Sequence, residues 1–175
     1  MNLPAVLSEL QSFLRAVHRP CAVIGGHALH AYGSTRHTND LDVLTIAEAR
    51  APLVAFLEGR GYETLHVSDG FSNHLHRDPA MGRVDVVYVD ATTSERIFAS
   101  ARPATLAGVE VLVPRPEHLA AMKIHAMKND PTRRFRELAD IQILAGLPGV
   151  DLDEIRSYFE RAGLQEDWDE LRAAL

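Results

Sequence analysis

The chain has little to cross-link or anchor it. Its single cysteine, Cys21, excludes an internal disulfide. Cys21 opens an apolar stretch and is expected to act as a small buried hydrophobe. No apolar run approaches the length of a membrane-spanning helix, and residues 1–20 carry Glu9, Arg15 and His18 at amphipathic spacing. They read as a helix rather than a signal peptide, so a cytoplasmic location is the expectation. Aromatic residues make up 6% of the chain, and the only tryptophan, Trp168, lies in an acidic stretch, so no basic patch interleaved with aromatics marks a nucleic-acid surface. Repeats and low-complexity segments are absent. Nine histidines are present. Pairs such as His74/His76 on one strand face and His27/His30 on one helix face lack the further cysteine or histidine ligands of a zinc site.

What remains is enough for a folded core: 175 residues, 46% of them hydrophobic. The net charge of −6 is unevenly spread, with eight acids against three arginines from Asp151 onward. Residues 115–136 instead hold six bases (Arg115, Lys123, Lys128, Arg133, Arg134, Arg136) against Glu117 and Asp130, a stretch that could meet phosphates. The acidic tail reads as a solvated helix face, with an interaction surface as the other reading.

Periodicity predicts a helix over 4–18, a strand at 22–24, a helix over 26–32, a strand at 40–45 and a helix over 47–60. Extended segments follow near 62–67 and 74–77, with strands at 83–89 and 109–113. Helices are then expected over 117–128, 132–145, 151–162 and 166–174, broken by Gly146, Pro148 and Gly149. The expected organisation is an α/β domain over 1–114 and a helical region over 115–175 packed on it.

Three carboxylates carry the chemical argument. Asp40 and Asp42 alternate with Leu41 and Val43, so on a strand both acids share one face. Asp85 sits likewise between valines in Arg83-Val84-Asp85-Val86-Val87. Carboxylates gathered on one face of apolar strands repel one another unless a cation joins them. An all-oxygen donor set favours Mg²⁺ or Mn²⁺. Gly25-Gly26, where a strand turns into a helix, lets backbone N–H groups approach an anion, and Arg36 and Thr38 could add a forked donor and a hydroxyl to phosphate. On the helix over 117–128, Lys123 falls on the face of Leu119, Met122 and Ala126, and an inward lysine needs a phosphate or carboxylate partner; a snorkelling lysine is the alternative. Lys128 points the other way. Asp140 shares a polar stripe with Arg133 and Arg136, and an i, i+4 pair with Arg136 is one reading of it.

Gly-Gly, a short helix, Asp-x-Asp and a later lone Asp resemble the nucleotidyltransferase fold of the DNA polymerase beta superfamily. Gly25-Gly26-His27-Ala28-Leu29-His30-Ala31-Tyr32-Gly33, Arg36 through Asp42, Glu117 through Lys123 and Leu138-Ala139-Asp140-Ile141 are most similar to the AbiEii toxin-type nucleotidyltransferases. The resemblance implies a mixed α/β sheet flanked by helices with a C-terminal helical part. It implies transfer of a nucleotide from an NTP to an RNA, a protein or a small-molecule hydroxyl, with a toxin role and a neighbouring antitoxin. It gives Asp40, Asp42 and Asp85 the metal, adds Lys123 to them as a catalytic group, and places Gly25, Gly26, Arg36, Thr38 and Asp140 around the nucleotide. Two departures stand out. Arg136-Glu137 replaces the family's usual Lys-Asp pair, and Gly25-Gly26 replaces the frequent Gly-Ser. The competing readings are a non-catalytic nucleotide- or metal-binding module acting through a partner protein, and an unrelated Mg²⁺ phosphohydrolase.

Overall fold

A computed structural model describes all residues 1–175. The chain divides into two compact units, Met1–Pro114 and Arg115–Leu175.

The first unit is built on a mixed sheet. Its strands are β1 (Ala22–Val23), β2 (Asp40–Ile46), β3 (Tyr62–Val67), β4 (Phe71–His76) and β5 (Arg83–Val89), in the spatial order β1-β2-β5-β4-β3. Only β2 and β5 run parallel; the other pairs are antiparallel. Alternation decides the faces. Leu41, Val43, Val84 and Val86 are at most 1% exposed, whereas Asp40, Asp42, Arg83 and Asp85 on the opposite face stay half-buried. Helix α1 (Leu3–Ala16) buries Leu7, Leu10 and Leu14 at helical spacing, and α3 (Arg50–Gly59) buries Leu53 and Leu57. Phe13 stacks on Phe56 at 4.2 Å to join those two helices. Each fully buried leucine of this kind contributes roughly 1.5–3 kcal/mol. A short helix, α2 (Gly25–His30), links β1 to the loop before β2.

Two elements had no counterpart in the sequence expectations: helix α4 (Ala91–Ala99), capped by the Asp90 carboxylate, and strand β6 (Arg102–Leu106). Strand β6 pairs with β7 (Val109–Val113) through a turn in which Ala107 and Gly108 both have positive φ, as a two-residue hairpin requires. The strand expected at 74–77 starts earlier, at Phe71, because its register is set by β5 across it. Cys21 lies just before β1 and is half-buried. The histidines of β4 are structural. His74 contacts the hydroxyls of Ser72 and Thr64 at 2.7 and 3.2 Å, and His76 packs edge-on against Tyr62.

The second unit consists of α5 (Pro116–Asn129), α6 (Arg134–Ala145), α7 (Leu152–Ala162) and α8 (Gln165–Ala173). Leu119, Ile124, Ile141, Leu144, Ile155 and Phe159 form its core, with Trp168 against Phe159. Five of the six bases of the basic stretch find acids inside this unit, and Lys128 is exposed. Arg115 reaches Glu117 and Glu154, Arg133 and Arg136 reach Glu137, and Arg134 reaches Asp167 and Glu170. Part of the acidic tail is therefore not a free solvated face: Asp167 is 8% exposed and held by Arg134. No helix is long and apolar enough to cross a membrane.

Candidate functional site

The parallel register of β2 and β5 sets Asp42 directly opposite Asp85 and Asp40 opposite Arg83. The antiparallel register of β5 and β4 then sets Asn73 opposite Asp85. One row across three strands thus reads Asp42, Asp85, Asn73 on the half-buried face. Asn73 Nδ2 donates to Asp85 Oδ1 at 2.9 Å, and Arg83 Nε donates to the same oxygen at 2.8 Å. The bond to Asp85, helped by the nearby charges of Asp40 and Asp42, holds the Arg83 guanidinium above its ordinary range despite partial burial.

The glycine turn closes on the same row. The Ile24 N–H donates to the Asp42 carbonyl at 3.0 Å, extending the β1–β2 pairing by one residue and delivering Gly25 beside the Asp42 side chain. Gly25 has φ +61°, and a Cβ there would lie 2.0 Å from Asp42 Oδ2. A Cβ on Gly26 would lie 2.8 Å from Thr38 Cβ and Oγ1. Glycine at both positions is therefore what lets the turn, the acidic strand and Thr38 meet.

The loop bearing Arg36 and Thr38 is held from α2. His30 Nε2 and the Arg36 carbonyl are 2.7 Å apart, so Nε2 donates and the tautomer is fixed. The Arg36 N–H donates to Ser34 Oγ at 3.3 Å, and Thr38 Oγ1 to the Asp40 carbonyl at 3.5 Å. His27, edge-on to His30, is buried, and desolvation, with the charges of His30 and His37, pushes its pKa down to about 4. It is neutral at physiological pH.

In the second unit Lys123 does face inward, but toward carboxylates of α6. Its Nζ donates to Glu137 Oε2 at 3.0 Å and to Asp140 Oδ2 at 2.6 Å, with all three residues at most 8% exposed. Burial opposes ionisation of Glu137, yet Lys123 and Arg133 outweigh it and keep its carboxyl below the usual range. Asp140 therefore does not lie on the exposed stripe with Arg133 and Arg136. It lies on the buried side, and Arg136 reaches Glu137 at 3.3 Å.

No three histidine, cysteine or carboxylate side chains converge into a ready-made metal shell. Asp42 and Asp85 are cross-strand neighbours, while Asp40 is one pleat away and Asp85 is turned to Arg83 and Asn73. The donor set still suits a hard divalent cation: it is all oxygen, on an accessible face, and its negative field already draws in a guanidinium. Arg83 and Asn73 were not among the candidates. The alternation that singled out Asp85 also places Arg83 on its face, whereas Asn73 fell outside the expected strand.

Comparison with known proteins fixes the lineage. The family profile described as "Nucleotidyl transferase AbiEii toxin, Type IV TA system" matches residues 10–175. The chain belongs to the AbiEii nucleotidyltransferase family. No curated protein matches its sequence. Among solved structures it is similar to the antibiotic-resistance factor ANT(2'')-Ia, at 18% identity over 99% of this chain and 92% of that one, with a TM-score of 0.58. The lincosamide antibiotic adenylyltransferase LnuA, bound to lincomycin, is 14% identical over 81% of this chain and 96% of its own, with a TM-score of 0.57. An antigenic nucleotidyltransferase-like protein from Paracoccidioides brasiliensis is 17% identical over 95% and 91%, with a TM-score of 0.56. The AbiEii member described here thus has the nucleotidyltransferase fold, a mixed α/β sheet with helices, as its motifs implied.

Proposed function

We propose that the protein transfers a nucleotidyl group from an NTP to a hydroxyl of an acceptor. The carrying observation is the row Asp42–Asp85–Asn73 with the Gly25 turn closed against it. The turn and the row supply a place for phosphate beside a place for cations on one open face.

In this reading Gly25 and Gly26 present backbone N–H groups to the triphosphate, with Arg36 and Thr38 beside them. Asp40, Asp42 and Asp85 would hold Mg²⁺ or Mn²⁺. Such an ion, when bound, neutralises phosphate charge and favours the ionised acceptor. Asp85 takes the proton of the acceptor hydroxyl. The acceptor oxygen bonds to the α-phosphorus as the bond from that phosphorus to the pyrophosphate oxygen breaks. Asp42 and Asp40 orient the donor. Lys123 and Asp140 enter as one unit with Glu137. In the arrangement seen, the Lys123 ammonium is engaged by two carboxylates, so neutralising phosphate would require it to exchange one of them.

The acceptor is an RNA, a protein or a small molecule. Arg115, Lys123, Arg133, Arg134 and Arg136 are already matched by acids, which removes the main reason in the charge pattern for favouring RNA. ANT(2'')-Ia was solved with adenylyl-2''-tobramycin, which keeps a small-molecule acceptor in view. Membership of a toxin family supports a toxin role with an antitoxin partner.

The test is incubation with each α-³²P-labelled NTP, Mg²⁺ or Mn²⁺, and a cell extract, run beside Asp42→Asn. Label should move to an acceptor only with the unmodified protein. The variant should fold as well or better, since a repelling charge is removed. Label transfer that survives in Asp42→Asn, or that never occurs with any NTP, rejects the reading; the latter result returns the non-catalytic binding module.

A further inference from the structure

The acidic row carries its own cation. Arg83 and Asp85 lie two residues apart on β5 and so share a face, and Arg83 stands opposite Asp40 in the register. A pair of this kind on a free surface contributes little. Here the Asp85 side chain is 22% exposed, and a second donor, Asn73 Nδ2, comes from the neighbouring strand. Both bonds end on Oδ1, at 2.8 and 2.9 Å, and neither on Oδ2. An ionised carboxylate ordinarily offers two oxygens and can grip a cation with both. Asp85 has one of its two committed to protein donors.

From this we infer that Arg83 is a built-in counter-ion of the carboxylate row, which with Asn73 restricts Asp85 to a single working oxygen, Oδ2, and weakens divalent-cation binding at that end of the row. The inference rests on the proposed role of the row. Three features support it. The guanidinium is charged at every physiological pH, so the compensation is permanent. Its Nε bond and the Asn73 bond approach Asp85 from two strands, which fixes the carboxylate plane as one bond would not. The two donors meet on one oxygen, Oδ1, so Oδ2 is the oxygen left for a cation. Arg83 and Asn73 are positioning residues, since they act through Asp85.

The experiment is a Mn²⁺ titration of the nucleotide-free, full-length protein, with free Mn²⁺ counted by electron paramagnetic resonance. The variants are Arg83→Gln, Arg83→Lys and Asn73→Ala, each checked for cooperative unfolding. Arg83→Gln removes the competing charge and should bind Mn²⁺ about tenfold tighter. Arg83→Lys keeps the charge and should stay near the unmodified affinity, and Asn73→Ala should do the same. In the label-transfer assay Arg83→Lys and Asn73→Ala should lower kcat with the KM for NTP unchanged, because the oxygen is misplaced while donor binding is intact. Equal Mn²⁺ affinity for Arg83→Gln and the unmodified protein overturns the inference. So does tightening by Arg83→Lys, or the lack of Mn²⁺ binding in every form. The titration needs no turnover, so it is decided separately from whether the protein transfers nucleotides.

Discussion

Gly25→Ala isolates the closeness of the turn to the acidic strand. Two costs are expected. Gly25 has φ +61°, where an L-residue is strained by about 1–2 kcal/mol. The new methyl would also sit 2.0 Å from Asp42 Oδ2 and 2.8 Å from Asp42 Cβ, far inside contact distance. Rotating Asp42 off its rotamer to escape costs at least about 0.5–1.5 kcal/mol more. Together these give about 1.5–3.5 kcal/mol, and for a chain of this size a drop in Tm of about 3–14 °C. The assay is a double-mutant cycle by thermal unfolding, with Gly25→Ala made alone and in Asp42→Gly. In the second background the side chain that obstructs the methyl is gone, and only the backbone strain of about 1–2 kcal/mol should persist. Label transfer should be lost in Gly25→Ala even at temperatures where it is folded. An identical stability loss in both backgrounds would refute the contact with Asp42, and full activity in Gly25→Ala would refute the placement of phosphate at this turn.

Three further outcomes follow from buried charge. Lys123→Met removes the buried cation that Glu137 and Asp140 share, leaving Glu137 its contacts to Arg133 and Arg136 at the rim, and should cost about 3–5 kcal/mol in denaturant unfolding, whereas Lys123→Met combined with Glu137→Gln and Asp140→Asn should recover much of it. Because the folded state depresses the Glu137 carboxyl below its ordinary 4.5, its contribution is complete above that pH and fades as pH falls further; Glu137→Gln should flatten the acid limb of a stability-versus-pH curve. His27 behaves in the same sense. Its pKa falls from 6.5 to about 4 on folding, so the unfolded chain takes up a proton first and stability declines as pH drops between those values, by up to about 3 kcal/mol. In His27→Gln that decline should shrink, as read by urea unfolding at pH 7 and pH 4.5.

The acidic strands were legible because period-two alternation is a local signal. Leu41, Val43, Val84 and Val86 announced the buried face, and Asp40, Asp42 and Asp85 were left on the other. Helix α4 was not legible, since it buries only Ser94 and Ile97 and so shows no apolar stripe. Strand β6 is largely exposed and contains Pro103, which removes the usual strand pattern. Helical periodicity correctly turned Lys123 inward, yet could not say that Glu137 and Asp140 wait there. That pairing depends on how two helices cross, which no single-helix pattern contains. Asp140 was drawn with the wrong neighbours for the same reason. Asn73 escaped because its importance comes entirely from its register opposite Asp85, a property of two strands.

The edge of the sheet has a consequence for the protein in concentrated solution. Strand β3 is the last in its row, and Leu65 and Val67 on it are 50% and 51% exposed. A straight strand of that composition would invite the backbone of another copy to continue the ladder. The register of β3 on β4 slips between Thr64 and His66, so Leu65 is a surplus residue that bends the outer rim. A bent rim offers an incoming strand only broken stretches of N–H and C=O groups. One residue out of step thus keeps an apolar border from becoming a template for aggregation.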